Sequence, residues 1–499
     1  MRRILLMAFG ILAAFMGTAA PVAQDTVDRD MVDKIRREGL DRSQVYAMFG
    51  HLVTNIGPRL TATPGYKAAA DWARAQLSKW GLKDPRLESW EFGRGWTLEK
   101  FTIEMVEPRY MPLIGYPEAW SASMEREIEA VPLFIGDKTP EELEVMKDRL
   151  SGAILLTQPL QTSFVRDDRA QPTAPDYTPP PPQPGRGGRG GRGGGTTQGE
   201  TPAQRRARIL REARPAALLR TSRGEHGTMF VLGRDAGANA QPSVILAAEH
   251  YNMILRTMTA GIPVKLRVHV RSRYLEQDRN GYNVLAELPG SDPSLKDEVV
   301  MIGAHLDSYH SAPGATDNAD GSAIVLEAMR ILSAIGATPR RTIRMALWGG
   351  EEEGLLGSRE YVRRHLSGEA NAAERDRFSV YFNIDPGTGP IYGWFLQGQD
   401  NVKSIMDAWL EPFKNLGARH NVTQNIGSTD HLSFTAIGLP GFNPVQDYVD
   451  YDVRTHHTNV DTFERVREAD LKQAAIILAS FAYHAAVRSD KFPRPQETR

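Results

Sequence analysis

Between residues 303 and 357 three polar clusters alternate with apolar segments, and this alternation constrains the fold more than any other feature of the chain. The clusters are Gly303-Ala304-His305-Leu306-Asp307-Ser308, Gly314-Ala315-Thr316-Asp317-Asn318-Ala319-Asp320-Gly321 and Trp348-Gly349-Gly350-Glu351-Glu352-Glu353-Gly354-Leu355-Leu356-Gly357-Ser358. The apolar run 299–302 reads as a buried strand that ends directly at His305. Beyond Gly321, Ile324, Ala328, Ile331, Leu332 and Ile335 recur at helical spacing and predict one core-facing stripe. Ile343, Met345 and Leu347 alternate as in a strand running out into Glu351, and 380–384 predicts another ending at Asp385. Three strands thus release a histidine or an acidic residue at their carboxyl ends, where open α/β sheets place ligands.

The rest of the chain is large enough to surround such a site. Its 499 residues, 41% hydrophobic and 24% charged, suffice for two or three domains. With 60 basic and 61 acidic residues the formal net charge is -1, so no overall field recruits nucleic acid or an anionic membrane, and a small substrate is the better expectation. Met1-Arg2-Arg3, the apolar run 4–17 and the small residues up to Ala23 read as a signal peptide over 1–23, which predicts export to the periplasm or the extracellular space. The apolar run is shorter than the ~20 residues of a membrane span, as is that of the helix expected over 469–487. The absence of cysteine excludes thiolate metal sites, cysteine nucleophiles and disulfides.

In the expected amino-terminal part, 24–129, residues 31–49 read as helical and Gly57-Pro58 as a turn. An amphipathic helix is predicted from Pro64 to Gly81, carrying Tyr66, Ala69, Ala70, Trp72, Ala73, Leu77 and Trp80. Strands are expected at 86–90 and 101–106. From about residue 130 the elements become short: a strand at 151–156, a helix at 205–212 and a strand at 215–220. This pattern resembles the protease-associated domain inserted into secreted exopeptidases, and places such an insert at 130–272. Inside it, 171–200 contains Pro179-Pro180-Pro181-Pro182 and an Arg-Gly-Gly repeat through Gly195, a composition that cannot bury enough surface to order itself and is expected to be a disordered surface loop. Arg-Gly-Gly repeats can bind RNA, but no aromatic stacking residue lies among these arginines. Residues 273–490 complete the larger domain and carry the candidate site.

Histidines and carboxylates without cysteine suit a divalent metal held by N and O ligands, zinc first and manganese or cobalt as substitutes. His305, Asp317, Glu352, Asp385 and His457 are the expected ligands. Five protein ligands from five segments exceed what one metal with an open position needs, and point to two ions ~3.5–4 Å apart sharing one carboxylate. Adjacent glutamates in a loop point different ways, so one can reach metal while its neighbour stays free to accept a proton from water.

From Gly57-Pro58-Arg59-Leu60 to Thr462, these motifs resemble the co-catalytic zinc exopeptidases, metallopeptidase family 28, which include bacterial leucyl aminopeptidase and carboxypeptidase Q. The resemblance implies an α/β fold with a mixed central sheet flanked by helices and two zinc ions per chain. It assigns His305 and Asp385 to one zinc and Glu352 and His457 to the other, with Asp317 bridging, Asp307 steadying His305 and Glu351 as general base. Glu353 is then expected to be a solvated residue at a helix start. The segment 451–462 matches the His-Thr-x-x-Asp-Thr pattern, which selects His457 over His456, and together with Gln446-Asp447-Tyr448 it is most similar to the carboxypeptidase Q branch. Ser428-Thr429-Asp430-His431 is also family-like, but its extra threonine keeps His431 outside the ligand set. The resemblance implies a carboxypeptidase or metallodipeptidase acting on small peptides, with an aminopeptidase of the same family as the alternative and a non-catalytic binding protein as the alternative of another class. The expected partner is a peptide substrate, not nucleic acid; homodimerisation is left open.

Overall fold

The computed structural model of the chain describes residues 26–178, 200–385 and 387–495. The expected signal peptide, and residues 179–199 of the Pro/Gly/Arg-rich stretch, lie outside the described residues.

A seven-stranded mixed sheet is built in the spatial order Lys83–Glu91, Asn280–Leu288, Thr342–Trp348, Val299–His305, Phe378–Asn383, Gly441–Gln446 and Ile391–Phe395. The four strands from Thr342–Trp348 to Gly441–Gln446 run parallel; Asn280–Leu288 and Ile391–Phe395 pair antiparallel to the two ends of that set, and Lys83–Glu91 pairs antiparallel to Asn280–Leu288. Val299–His305 is buried at every position, as a parallel strand covered on both faces must be. Its side chains alternate: Val300, Ile302 and Ala304 pack towards one helical layer, Val299 and Met301 towards the other. The first layer contains Pro64–Lys79, Asp320–Ala334 and Glu468–Val487; the second contains Leu356–His365 and His431–Thr435.

Two expected helices differ from their reading. Instead of one buried stripe, Asp320–Ala334 is buried on all sides from Asp320 to Leu332, because the sheet covers one side while Glu468–Val487 and Arg29–Asp41 cover the other. Ile335 lies just past its end as the cap residue. The helix expected over 31–49 is two, Arg29–Asp41 and Val45–Gly50; the chain breaks where the Ser43 hydroxyl and the Gln44 N–H both donate to the buried carboxylate of Glu327. That carboxylate also receives Arg330, whose guanidinium bonds Glu38 at 2.7 Å.

A smaller body rests on two further sheets. One has the order Met111–Pro112, Gly95–Glu107, Lys265–Leu275, Ile128–Ala130; the other has the order Gly115–Pro117, Ser243–Leu246, Ala217–Thr221, Ile154–Leu156, Leu133–Phe134. Both feed one apolar core, in which Ile103, Met105, Val244, Leu246, Leu266 and Val268 meet. Gly95–Glu107 pairs along its length with Lys265–Leu275, so this body draws in chain that lies ahead of residue 130. Its segment from residue 168 onward crosses to the large body. Thr173 is buried there, and Gln171 donates its side-chain amide to the carbonyl of Gln446 at 2.8 Å. Residues 171–174, included in the expected disordered loop, are therefore packed, held by the Gln171 bond to a distant strand, whereas Pro175, Asp176 and Thr178 are exposed. Among the described residues no helix is long and apolar enough to cross a membrane.

Candidate metal centre

The sheet delivers the expected donors to one place. His305 is the last residue of Val299–His305; Glu351 and Glu352 lie in the turn after Thr342–Trp348; Asp385 follows Phe378–Asn383. Asp317 arrives from the short helical segment Ala315–Ala319 that leads into Asp320–Ala334, and His457 from the loop after the single helical turn Tyr451–Thr455. Asp317 stands at the middle. Its Oδ1 lies 3.2 Å from His305 Nε2, which is 3.7 Å from Asp385 Oδ2. Its Oδ2 lies 3.3 Å from His457 Nε2, which is 2.8 Å from Glu352 Oε2. All five expected ligands thus converge in two groups that share one carboxylate.

The surrounding residues fix this geometry through the backbone. Asp307, fully buried, accepts the N–H of Glu351 on one oxygen and that of Glu352 on the other, each at 3.2 Å, and its Oδ1 lies 3.7 Å from His305 Nδ1. Asp461 accepts the N–H groups of Thr316 and Asp317 at 2.8 and 3.2 Å, which holds the shared carboxylate in place. Arg59, from the Gly57-Pro58 turn, is buried and donates to the carbonyls of Gly57, Leu306, Pro313 and Gly314, pinning the loop between the first two clusters. Burial pushes its guanidinium down to about 10 despite the nearby charges of Asp461 and Asp307. Tyr309 donates its hydroxyl to the carbonyl of Glu352 and sets its ring edge-on to His457, with centroids 5.0 Å apart. Arg59 and Asp461 stand within the motifs, but the sequence carries no signal for these contacts, nor for Tyr309.

The electrostatics are those of a site crowded with buried acids. Burial raises the carboxyls of Glu351 and Glu352 well above the ordinary range, and neighbouring carboxylates add to it: Asp385 and Asp430 for Glu351, Asp317 and Asp307 for Glu352. Burial alone would depress His305, but the carboxylates of Glu351, Asp307, Asp317 and Asp385 raise it. Asp317 moves the other way: against its burial, the close approach of His305 and the charge of His457 hold it below the usual range. Glu353 is not the solvated residue expected. Both its carboxylate oxygens are buried without a hydrogen-bond partner, and burial beside Asp307 and Glu352 raises it. The regular helix begins only at Leu356, so the glutamate triplet is folded into a turn beneath the site instead of facing water. Asp430 is also buried with neither oxygen bonded, and burial pushes it up to about 7. His431 stays outside the ligand groups, next to Gln397 and the Ile426 carbonyl. His456 stacks between Tyr451 and His457; burial and the charge of His457 push it down to about 3.

These residues fit a divalent cation. His305 Nε2 and Asp317 Oδ2 are buried with no hydrogen-bond partner, and an unpaired buried polar atom is costly unless something binds it. The donor atoms of His305, Asp317 and Asp385 lie within 4.8 Å of one another, as do those of Asp317, His456 and His457. Nitrogen and carboxylate donors in this number suit zinc, with manganese and cobalt as related choices.

The sequence model for Peptidase family M28 matches residues 283–482. Carboxypeptidase Q of Mus musculus is 23% identical over 461 residues, covering 91% of this chain and 88% of that protein. Several other curated relatives are matched over about half their length. An aminopeptidase of Pseudomonas aeruginosa (strain UCBPP-PA14) is 38% identical over 184 residues, 35% of this chain and 32% of that protein. Among solved structures, a peptidase M28 precursor from Shewanella amazonensis SB2B superposes with a TM-score of 0.70 at 23% identity, covering 94% of this chain and 99% of that one. The matched segment, residues 283–482, contains every donor of the centre, and it is over this segment that the chain is similar to Peptidase family M28.

Proposed function

We propose that the chain is an exported two-zinc exopeptidase that hydrolyses small peptides or dipeptides from a terminus. The observation that carries this reading is the placement of Asp317, one oxygen facing His305 and the other His457. His305, Asp317 and Asp385 would hold one zinc; Asp317, Glu352 and His457 would hold the other. When bound, the two ions supply Lewis acidity to the scissile carbonyl and to the attacking water. Glu351 accepts the proton of that water and returns it to the leaving amine, while Asp307 keeps the His305 ring and the Glu351–Glu352 turn in place. The smaller body, proposed as a protease-associated insert, shapes the approach to the centre. Export rests on the signal-like residues 1–23.

Carboxypeptidase or dipeptidase activity is supported by alignment with Carboxypeptidase Q along most of the chain. The aminopeptidase reading is supported by the higher local identity to a bacterial aminopeptidase. The zinc-loaded protein should be offered free dipeptides, N-blocked peptides and C-amidated peptides. Cleavage of N-blocked peptides with refusal of C-amides is expected for a carboxypeptidase, and the reverse for an aminopeptidase. If no peptide is cleaved while both metal equivalents are present, the protein is a binding protein on this fold.

A further inference from the structure

The loop that presents His457 is held by two neighbouring residues of the smaller body, Asp168 and Arg169. The Asp168 carboxylate accepts the N–H groups of Asp450 at 2.8 Å and Val453 at 3.0 Å, at the start of the turn Tyr451–Thr455. Arg169 gives Asp452 three bonds: its backbone N–H at 2.8 Å, Nε at 2.8 Å and Nη2 at 2.6 Å. Such forked, charge-assisted bonding fixes direction as well as distance. The guanidinium also lies over the rings of Tyr448 and Tyr451, 5.1 and 5.3 Å from their centroids. Tyr451 stacks on His456 at 4.9 Å, and His456 packs against His457 at 3.9 Å. A continuous set of contacts therefore runs from the smaller body to a donor of the centre.

The loop needs such support. Asp450 and His457 both sit at positive φ, 62° and 61°, where a side chain is strained and stays only if its surroundings hold it. Asp168 and Arg169 bond to one end of this loop, while the Val231 N–H bonds the His457 carbonyl at the other. The donors of the other half, His305 and Asp385, stand at or just beyond the ends of strands of the large sheet and make no bond to Asp168 or Arg169.

We infer that Asp168 and Arg169 are positioning residues for one half of the metal centre, holding the Tyr451–Thr455 turn in the setting that delivers His457 beside Glu352. The inference rests on the two-ion reading and adds an asymmetry to it: loss of the strap weakens the ion at Glu352 and His457 and spares the ion at His305 and Asp385.

The test is a chelator titration of the zinc-loaded full chain, following zinc retained per chain, for the wild type, Arg169→Met, Arg169→Lys and Asp168→Asn. Methionine keeps the apolar stem against the two tyrosines and removes the bonds to Asp452. Arg169→Met is expected to release one equivalent at a chelator concentration at least tenfold below wild type, with the second equivalent unchanged. Arg169→Lys should recover part of the loss. In the chelated proteins, amide hydrogen exchange over 450–457 should be at least tenfold faster in Arg169→Met than in the wild type. Should Arg169→Met not fold, Asp168→Asn keeps the ion pair and is expected to show the same one-sided release. A folded variant that keeps both equivalents as the wild type does, or loses both together, overturns the inference alone. A wild type that takes up no zinc overturns the two-ion reading and this inference with it.

Discussion

Asp307 accepts the backbone N–H of Glu352 at 3.2 Å, which ties the loop after His305 to the turn that carries the glutamates. Because its second oxygen takes the N–H of Glu351 and faces His305, Asp307→Asn replaces one acceptor by an NH2 group that must turn away from an N–H. Metal affinity or turnover is expected to fall ~10–100-fold, the usual effect of losing a residue that orients ligands. Zinc content and kcat measured together check this; wild-type values for both would remove Asp307 from its role.

Glu351 and Glu352 should separate by metal content as well as by rate. Glu351→Gln keeps both equivalents and slows kcat ~10²–10⁴-fold, the range for a positioned base. Glu352→Gln loses an equivalent, because a neutral amide is a poorer ligand for a divalent cation. If the Glu351 variant loses metal and an inactive Glu352 variant keeps it, the roles belong to Glu352 and Glu353, a shift made concrete by the burial of Glu353.

Removing metal with a strong chelator should abolish peptide hydrolysis and lower the thermal midpoint, since a ligand bound only to the folded state stabilises it. Added zinc should restore both. Unchanged hydrolysis by protein shown metal-free by elemental analysis would falsify the metal-centre reading.

The Arg-Gly-Gly repeat is expected to be dispensable for the chemistry, whereas the residues just before it are not free of contacts. Replacing Arg186, Arg189 and Arg192 by Ser keeps the chain length and should leave kcat for a dipeptide within a few-fold. Deleting 171–178 as well removes the Gln171 bond to the Gln446 carbonyl and the buried Thr173, and should lower stability. Equal behaviour of the two variants in thermal melts would count against the packing argument.

Away from the site, Arg330 joins Glu38 and Glu327 in a buried group. Arg330→Met should cost about 3–5 kcal/mol at neutral pH, because it leaves buried carboxylates without a partner. Against its burial, the bonds from Arg330 and Arg42 hold the Glu38 carboxyl below its ordinary value in the folded chain. Its contribution is therefore present above the unfolded value of ~4.3 and is lost as pH falls through the folded one. Urea unfolding at neutral pH and near pH 3 should show the gap between wild type and variant narrowing in acid; a constant gap contradicts the assignment.

How much of this could be read beforehand depended on how local each signal was. His305, Glu352 and Asp385 stand beside strands whose hydrophobic patterns are plain, so both their backbone setting and their meeting point were legible. The all-round burial of Asp320–Ala334 was not, because periodicity reveals the face turned to the sheet but not a second layer supplied by Glu468–Val487, more than a hundred residues later. Glu353 misled for a similar reason: a glutamate triplet has the composition of a solvated turn, and only the packed loop around it makes it buried. Asp168 and Arg169 carry no local pattern, since their partners lie 282 to 285 positions away.

The order of the donors along the chain has a consequence for biosynthesis. His305, Asp317, Glu352 and Asp385 emerge from the ribosome before His457, and the strand Gly441–Gln446 that precedes its loop joins the sheet beside Phe378–Asn383. A nascent chain, or a proteolytic fragment ending before residue 457, lacks one histidine of the pair and cannot complete the donor set. The full donor set thus comes together only after residue 457 has left the ribosome and Gly441–Gln446 has taken its place in the sheet, so synthesis of the preceding donors alone leaves the centre open.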